Sequence, residues 1–241
     1  MPLAEPESEE VSRGDKSDHC KREDSSEKER QLLNSRSSVI SNIKVMYANA
    51  QSLKRKMSEL LTTTVALSPD VIGITESWGD QDLPDSEFTV PGFTMFRSDR
   101  VTGHRGGGVL LLVKNEINPV EVKMKSKFMD QVWCKISQAH GDELLIGVCY
   151  RSLNTVLFGK DNDACLQELI TEIRGRPLLL MGDFNFPDID WSSSAGSTPS
   201  SQSFVDCIDG AFLTQHVTQC TCKDAVLDLV FTSEPDIIDS F

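Results

Sequence analysis

Six polar residues sit where apolar runs end, and their types suit phosphodiester chemistry. Asn49 follows Val45-Met46-Tyr47-Ala48, and Glu76 follows Val71-Ile72-Gly73-Ile74-Thr75. Tyr150 and Arg151 close a run that starts at Leu144, and Asp183 and Asn185 follow Leu178-Leu179-Leu180-Met181 in the string Gly182-Asp183-Phe184-Asn185. A phosphodiester is anionic, and its hydrolysis gathers charge on the non-bridging oxygens. Mg²⁺ held by one or two carboxylates neutralises that charge and assists the leaving oxygen. Asp183 can accept a proton from the attacking water. Asn185, two residues on, points the same way along an extended chain and can orient that water or a phosphate oxygen. Tyr150 and Arg151 can donate to phosphate. Singly, each has a plainer reading: Glu76 ends a strand, Tyr150 packs as a half-buried aromatic, and Asn49 and the Gly-Asp-Phe-Asn string suit turns. Their repeated placement after apolar strands favours one shared site at a sheet rim.

The elements that must position them are readable from hydrophobic spacing. Strands are expected at residues 43–48, 71–75, 93–97, 108–113, 131–136, 144–150, 178–181 and 226–231. Leu53, Met57, Leu60, Leu61 and Val65 space an amphipathic helix over 53–67. Cys165, Leu166, Leu169, Ile170 and Ile173 mark a second helix. Phe204, Ile208 and Phe212 mark a third, with Ser200 or Ser201 as its N-cap. Strands outnumber helices and several follow one another directly, which predicts an α/β fold of mixed or antiparallel sheets with helices packed outside. Residues 192–203, rich in Ser, Gly, Thr and Pro, read as an exposed loop. Residues 1–40 are charged and nearly free of large apolar side chains. They are expected to form a disordered tail ahead of a domain over 41–241.

The chain has 241 residues, with 24 Lys and Arg against 37 Asp and Glu, a net charge of −13. That argues against a broad basic surface gripping nucleic acid by charge alone. A nuclease remains compatible, because metal ions screen an acidic cleft and a few local cations hold phosphate. Two basic groups are candidates, Arg97, Arg100 and Arg105 around Gly106-Gly107-Gly108, and the run Lys54-Arg55-Lys56; such groups are more often solvated faces. The triglycine implies a tight turn or close backbone packing, not a phosphate loop, since no Gly-Lys-Ser/Thr follows. The seven cysteines, an odd number without a secretory leader, point to reduced thiols in a nuclear or cytoplasmic protein that is not secreted. Cys220-Thr221-Cys222 is spaced too closely for a zinc knuckle. No apolar run approaches the ~18 residues of a membrane span, so no membrane partner is expected.

Taken in order, the strings Tyr47-Ala48-Asn49-Ala50-Gln51-Ser52-Leu53, Pro69-Asp70-Val71-Ile72-Gly73-Ile74-Thr75-Glu76-Ser77-Trp78, Arg105-Gly106-Gly107-Gly108-Val109, Tyr150-Arg151, Gly182-Asp183-Phe184-Asn185 and Leu227-Asp228-Leu229-Val230-Phe231 resemble the motifs of non-LTR retrotransposon endonucleases. These belong to the endonuclease/exonuclease/phosphatase superfamily, with the abasic-site endonucleases and pancreatic-type deoxyribonuclease. Each string is weak alone; the ordered set, from about residue 43 onward, is specific. The resemblance implies a four-layer α/β sandwich of two mixed β-sheets flanked by helices. It implies that Glu76 binds metal, Mg²⁺ or Mn²⁺, and that Asn49 lies near the metal and the scissile phosphate. It makes Asp183 the activator of water, Asn185 its orienting partner, Tyr150 a phosphate contact and Asp228 the partner of a catalytic histidine. DNA is the implied substrate, with Arg97, Arg100, Arg105 and Arg151 as further contacts, and no specific protein partner is indicated. Two departures stand out. The family's Ser-Asp-His string does not occur before Phe241, so the domain is expected to be incomplete at its C-terminus and to lack a last strand. Gln51 stands where abasic endonucleases carry a second acid. Three functions follow: a Mg²⁺-dependent nicking endonuclease, a truncated or domesticated binding module without catalysis, and a same-fold phosphodiesterase for RNA or lipid and inositol phosphates.

Overall fold

The computed structural model describes residues 43–99, 106–138, 141–153, 156–157, 160–222, 224–234 and 237. The expected tail over residues 1–40 lies outside them. In chain order the elements are β1 (Val45–Asn49), a 3₁₀ turn (Leu53–Lys56), α1 (Met57–Leu67), β2 (Val71–Thr75), β3 (Phe93–Ser98), β4 (Val109–Lys114), β5 (Val120–Glu121), β6 (Asp130–Ser137) and β7 (Glu143–Tyr150). There follow β8 (Val156–Leu157), β9 (Lys160–Asp161), α2 (Asn162–Ile173), β10 (Leu178–Asp183), β11 (Ile189–Asp190), β12 (Ala195–Gly196), α3 (Pro199–Gly210), β13 (Thr214–Gln215) and β14 (Asp228–Thr232).

Among the described residues, one sheet runs β1-β2-β4-β3 and another β13-β14-β10-β7-β6-β5. Both are mixed. β1 lies parallel to β2, and β7 parallel to β10, while the remaining neighbours in each sheet are antiparallel. The sheets face each other. Val71, Val109, Leu111 and Val113 from the first pack against Val132, Ile146, Val148, Leu179 and Met181 from the second. At this seam Gly73 has no room for a side chain, since a Cβ there would fall 2.3 Å from the Met181 sulfur. On the outer face of the first sheet, Ile72, Ile74, Leu110 and Leu112 meet Leu53, Leu60 and Phe88. On the outer face of the second, Trp133, Leu145, Leu178, Leu180 and Phe231 meet Leu166, Leu169, Ile170, Phe204 and Ile208 from α2 and α3. The order is therefore helix, sheet, sheet, helices. Every residue of β2 is buried, and so are the first five of β4. Strands covered on both faces read as unbroken apolar runs, which is the pattern of residues 71–74 and 109–113.

Local geometry differs from the expected elements in three places. The helix expected over 53–67 opens as the 3₁₀ turn, and Leu60 is buried whereas Leu61 and Val65 are 37% and 81% exposed. The N-cap of α3 is Thr198, not Ser200 or Ser201. Thr198 and Ser201 form a reciprocal capping box, and Pro199 at the first helical position needs no N–H partner. Phe212 lies beyond that helix, 74% exposed, with a left-handed φ of 58°. Residues 192–203 are not a plain loop: they complete the hairpin of β11 and β12 and open α3. Among the described residues no helix is long and apolar enough to cross a membrane.

Candidate active site

The C-terminal ends of the parallel strands from both sheets meet at one rim. Asn49 pairs in register with Thr75, Tyr150 with Asp183, and Asp228, entering antiparallel, with Asp183 as well. Asn49 Nδ2 donates to Asp183 Oδ2 at 3.0 Å, a bond that runs from one sheet to the other. Asp183 Oδ1 accepts from the Asn185 N–H at 3.1 Å. Asn185 sits in the left-handed region at φ 50°. Asp183 is 6% exposed. Burial, and then the charges of Asp228 and Glu76, push its carboxyl up against the two hydrogen bonds that favour ionisation, and it reaches about 7.

This site carries a stability cost that depends on pH. A carboxyl whose folded-state pKa lies above its unfolded value stabilises the fold fully below the unfolded pKa, near 4, and loses that contribution as pH rises through about 7. With a chelator present, Asp183→Asn is therefore expected to be more stable than the wild type at pH 8, on the order of 2 kcal/mol, and equal to it at pH 4. Urea titrations at the two pH values measure this; an unchanged difference between them contradicts it.

Glu76 follows β2 and also has a left-handed backbone, φ 53°. Its Oε2 accepts from the Trp78 indole N–H and from the Gly107 N–H at 3.2 Å. The triglycine wraps this carboxylate. Its φ values of 99°, 84° and 78° belong to glycine, and a Cβ on Gly106 would stand 3.4 Å from Glu76 Oε2. Backbone bonds Ser77 N to Gly108 O and Trp78 N to Gly107 O lock the two segments together, and Gly108 N donates to Asp130 Oδ1 at 3.0 Å. The Tyr150 phenol lies beside Glu76. Burial first, then Glu76 and the charges of Asp183 and Asp130, push the phenol up, so it stays protonated and remains a donor. Tyr47, two residues before Asn49, donates to Asp228 Oδ1 at 2.9 Å and meets Thr75 Oγ1 at 2.7 Å. Burial and then Asp228 raise its pKa.

The structure thus brings Asn49, Glu76, Tyr150, Asp183, Asn185 and Asp228 together. The arginines fare differently. Arg97 gives its donors to Asp99, Asp85, Leu83 O and Asp80 O and lies over the Phe88 ring, so it is not free to meet a substrate. Arg151 is 7% exposed and paired with Asp163 at 2.7 Å, which removes it as a phosphate contact. Arg100 and Arg105 lie outside the described residues. The other basic group, Lys54-Arg55-Lys56, is exposed on the 3₁₀ turn, which Ser52 N to Glu76 O and Leu53 N to Ser77 O bind to the Glu76 segment. Lys54 pairs with Glu87 at 3.2 Å. Sequence reasoning missed Tyr47, Trp78 and Asp130. Tyr47 does share a strand face with Asn49, and Trp78 stands two residues from Glu76, but a packing role fits both positions equally well.

A divalent cation fits this donor set. Asn49 Oδ1 is a buried acceptor without a hydrogen-bond partner. The Nδ2 of the same amide is bonded to Asp183, whose ionisation the nearby charges of Asp228 and Glu76 disfavour. Among the described residues no three His, Cys, Asp or Glu side chains close into a cage. Mg²⁺ does not require one, since it binds through one or two carboxylates and keeps its waters and substrate phosphates.

The sequence profile of the Endonuclease/Exonuclease/phosphatase family matches residues 35–238. Among solved structures, an AP endonuclease from Leishmania major superposes with a TM-score of 0.60 at 14% identity, covering 79% of each chain. The endonuclease domain of TRAS1, a telomere-specific non-LTR retrotransposon, gives 0.58 at 15% identity, covering 80% of this chain and 85% of that one. A 3′-5′ exonuclease from Neisseria meningitidis gives 0.58 at 18% identity, covering 79% and 87%. At these identities the likeness concerns the fold. No curated protein sequence matches.

Proposed function

Because the chain belongs to the Endonuclease/Exonuclease/phosphatase family, we propose that it is a metal-assisted phosphodiesterase that nicks DNA, in the manner of retrotransposon endonucleases. The observation that carries the reading is the Asp183 carboxylate. It is buried, raised to about 7, and gripped from opposite sheets by Asn49 Nδ2 and the Asn185 N–H. A base near neutral pKa, held in one orientation, is suited to take a proton from water at physiological pH.

In this reading Asp183 takes the proton of the attacking water. Asn49 fixes the rotamer of Asp183, and Asn185 sets the line of approach. The Tyr150 hydroxyl, kept protonated, donates to a phosphate oxygen. Tyr47 holds Asp228 beside Asp183, where its charge keeps the base strong. Glu76 and Asn49 Oδ1 are the oxygens that would hold Mg²⁺, or Mn²⁺ in its place, and the bound ion supplies charge neutralisation at the phosphate and the leaving oxygen. DNA is favoured as substrate by the AP endonuclease and retrotransposon endonuclease among the structural neighbours.

The test is conversion of supercoiled plasmid to the nicked circle by the purified chain. Nicking is expected in millimolar Mg²⁺ and is expected to stop in EDTA. Faster turnover of RNA or an inositol phosphate would reassign the substrate. DNA binding without turnover would make the chain a binding module and end the enzymatic reading.

A further inference from the structure

We propose that Arg151 is a positioning residue, which with Asp163 clamps the Asp183-Phe184-Asn185 turn in the conformation the site uses; this rests on the nuclease reading above.

Arg151 holds that turn at four points. Its backbone N–H donates to Asp183 O at 2.9 Å, and its backbone carbonyl accepts from Asn185 Nδ2 at 2.8 Å. Its Nη1 donates to Asn185 O at 2.9 Å and, at 3.4 Å, to Phe184 O. The other side of the guanidinium faces away from the site. Nε and Nη2 bind the two Asp163 oxygens at 2.7 and 3.0 Å, and the plane lies 3.8 Å over the Phe186 ring. Asp163 stands in the first turn of α2 and also accepts from Ser200 in the first turn of α3. Burial works against ionised Asp163, but the bonds from Arg151 and Ser200 and the charge of Arg151 outweigh it and hold the carboxyl below its ordinary range. The pair is thus charged on both sides and ties the turn to two helices.

The turn needs such a tie. Asn185 is left-handed, a backbone state that asparagine tolerates better than other side-chain-bearing residues but does not hold without bonds that select it. In that state its N–H points at Asp183 Oδ1, and its carbonyl is the group that Arg151 pulls on. Letting the turn relax would free one oxygen of Asp183 and let the carboxylate rotate. A small misplacement of a reacting group costs rate and leaves substrate affinity largely alone. The planar fork of arginine is what allows one side chain to face Asp163 and Asn185 O together, and lysine cannot do both.

Two variants test this. Arg151→Met with Asp163→Leu removes the charge pair and keeps its volume, and Arg151→Lys keeps a charge opposite Asp163 while giving up Asn185 O. On a labelled DNA duplex with Mg²⁺, both are expected to lower kcat about tenfold or more and to change KM less than about threefold, with an unaltered salt dependence. Hydrogen exchange at the Asn185 amide is expected to quicken at least about tenfold, a readout that needs no activity. A purely structural pair would lower the melting temperature and leave kcat per folded molecule and Asn185 exchange unchanged, which would overturn the proposal. A raised KM with a salt slope reduced by about one would also overturn it, since that marks a phosphate contact. If the double variant does not fold, Arg151→Lys decides alone. If the wild type shows no turnover, the nuclease reading falls by itself, and the exchange measurement still decides whether the clamp exists.

Discussion

Asp183→Ala abolishes strand nicking, lowering the rate about a thousandfold or more, in a protein that remains folded. The size follows from what the side chain does: removing a positioned general base costs typically 10²–10⁴ in rate. The survival of the fold follows from its environment. Burial and two neighbouring carboxylates already oppose the ionised form of Asp183, so deleting it at pH 8 relieves more repulsion than it forfeits in hydrogen bonds. The two freed donors, Asn49 Nδ2 and the Asn185 N–H, stand at the rim, where water can reach them. Plasmid nicking measures the rate, and a melting curve at the same pH checks the fold. A folded Asp183→Ala protein that nicks within tenfold of the wild type would remove Asp183 from the chemistry.

Gly182→Ala is expected to leave no folded protein. Gly182 lies opposite Cys149 in the parallel pair of β10 and β7. A Cβ at Gly182 would come within 1.9 Å of the Cys149 carbonyl oxygen and 2.9 Å of its carbon. Those are backbone atoms of a central strand and cannot withdraw without opening the ladder that carries Tyr150 and Asp183. A loss of more than about 4 kcal/mol is expected, a large part of the 5–15 kcal/mol that holds a typical domain. Circular dichroism and solubility at 25 °C report it; a cooperative thermal transition near that of the wild type would refute it. Gly73→Ala makes the useful contrast. Its Cβ meets side chains and no backbone, the flexible thioether of Met181, which can turn aside, and Val148 Cγ2 at 3.1 Å, which need give only slightly, so a loss of about 1–3 kcal/mol is expected there.

These two positions also show what the sequence could and could not convey. The strands carrying Asp183, Glu76 and Asn49 were legible because buried strands are written as continuous apolar runs. Mixed or antiparallel sheets with helices outside followed from the number and order of the strands, whereas the pairing of two mixed sheets came from the family resemblance. The gathering of polar strand ends was legible because parallel strands deliver their C-terminal residues to one rim. Hydrogen-bond partners distant along the chain were not. Tyr47 meets Asp228 across 181 positions, and nothing local distinguishes it from a core aromatic. Arg151 read as a free cation because its acceptors, Asp163 and the Phe184 and Asn185 carbonyls, are brought in by folding; Arg97 did so although Asp99 stands two residues away, because a neighbour at that spacing does not by itself show a pair. The Ser- and Thr-rich stretch before Phe204 read as loop because the same hydroxyls that favour loops also cap helices, and only the reciprocal bonds of Thr198 and Ser201 tell the two apart.

The bond from Asn49 to Asp183 joins residues borne by different sheets, so the base is only as well aimed as the two sheets are aligned. Side chains deep in the interior, at the contact of Gly73 with Met181, act as a gauge block for a reaction that takes place at the edge. Substitutions there that slide one sheet by a fraction of an ångström would register as slow catalysis in a protein of near-normal stability. The interior of this fold therefore has less freedom to drift than its burial alone demands.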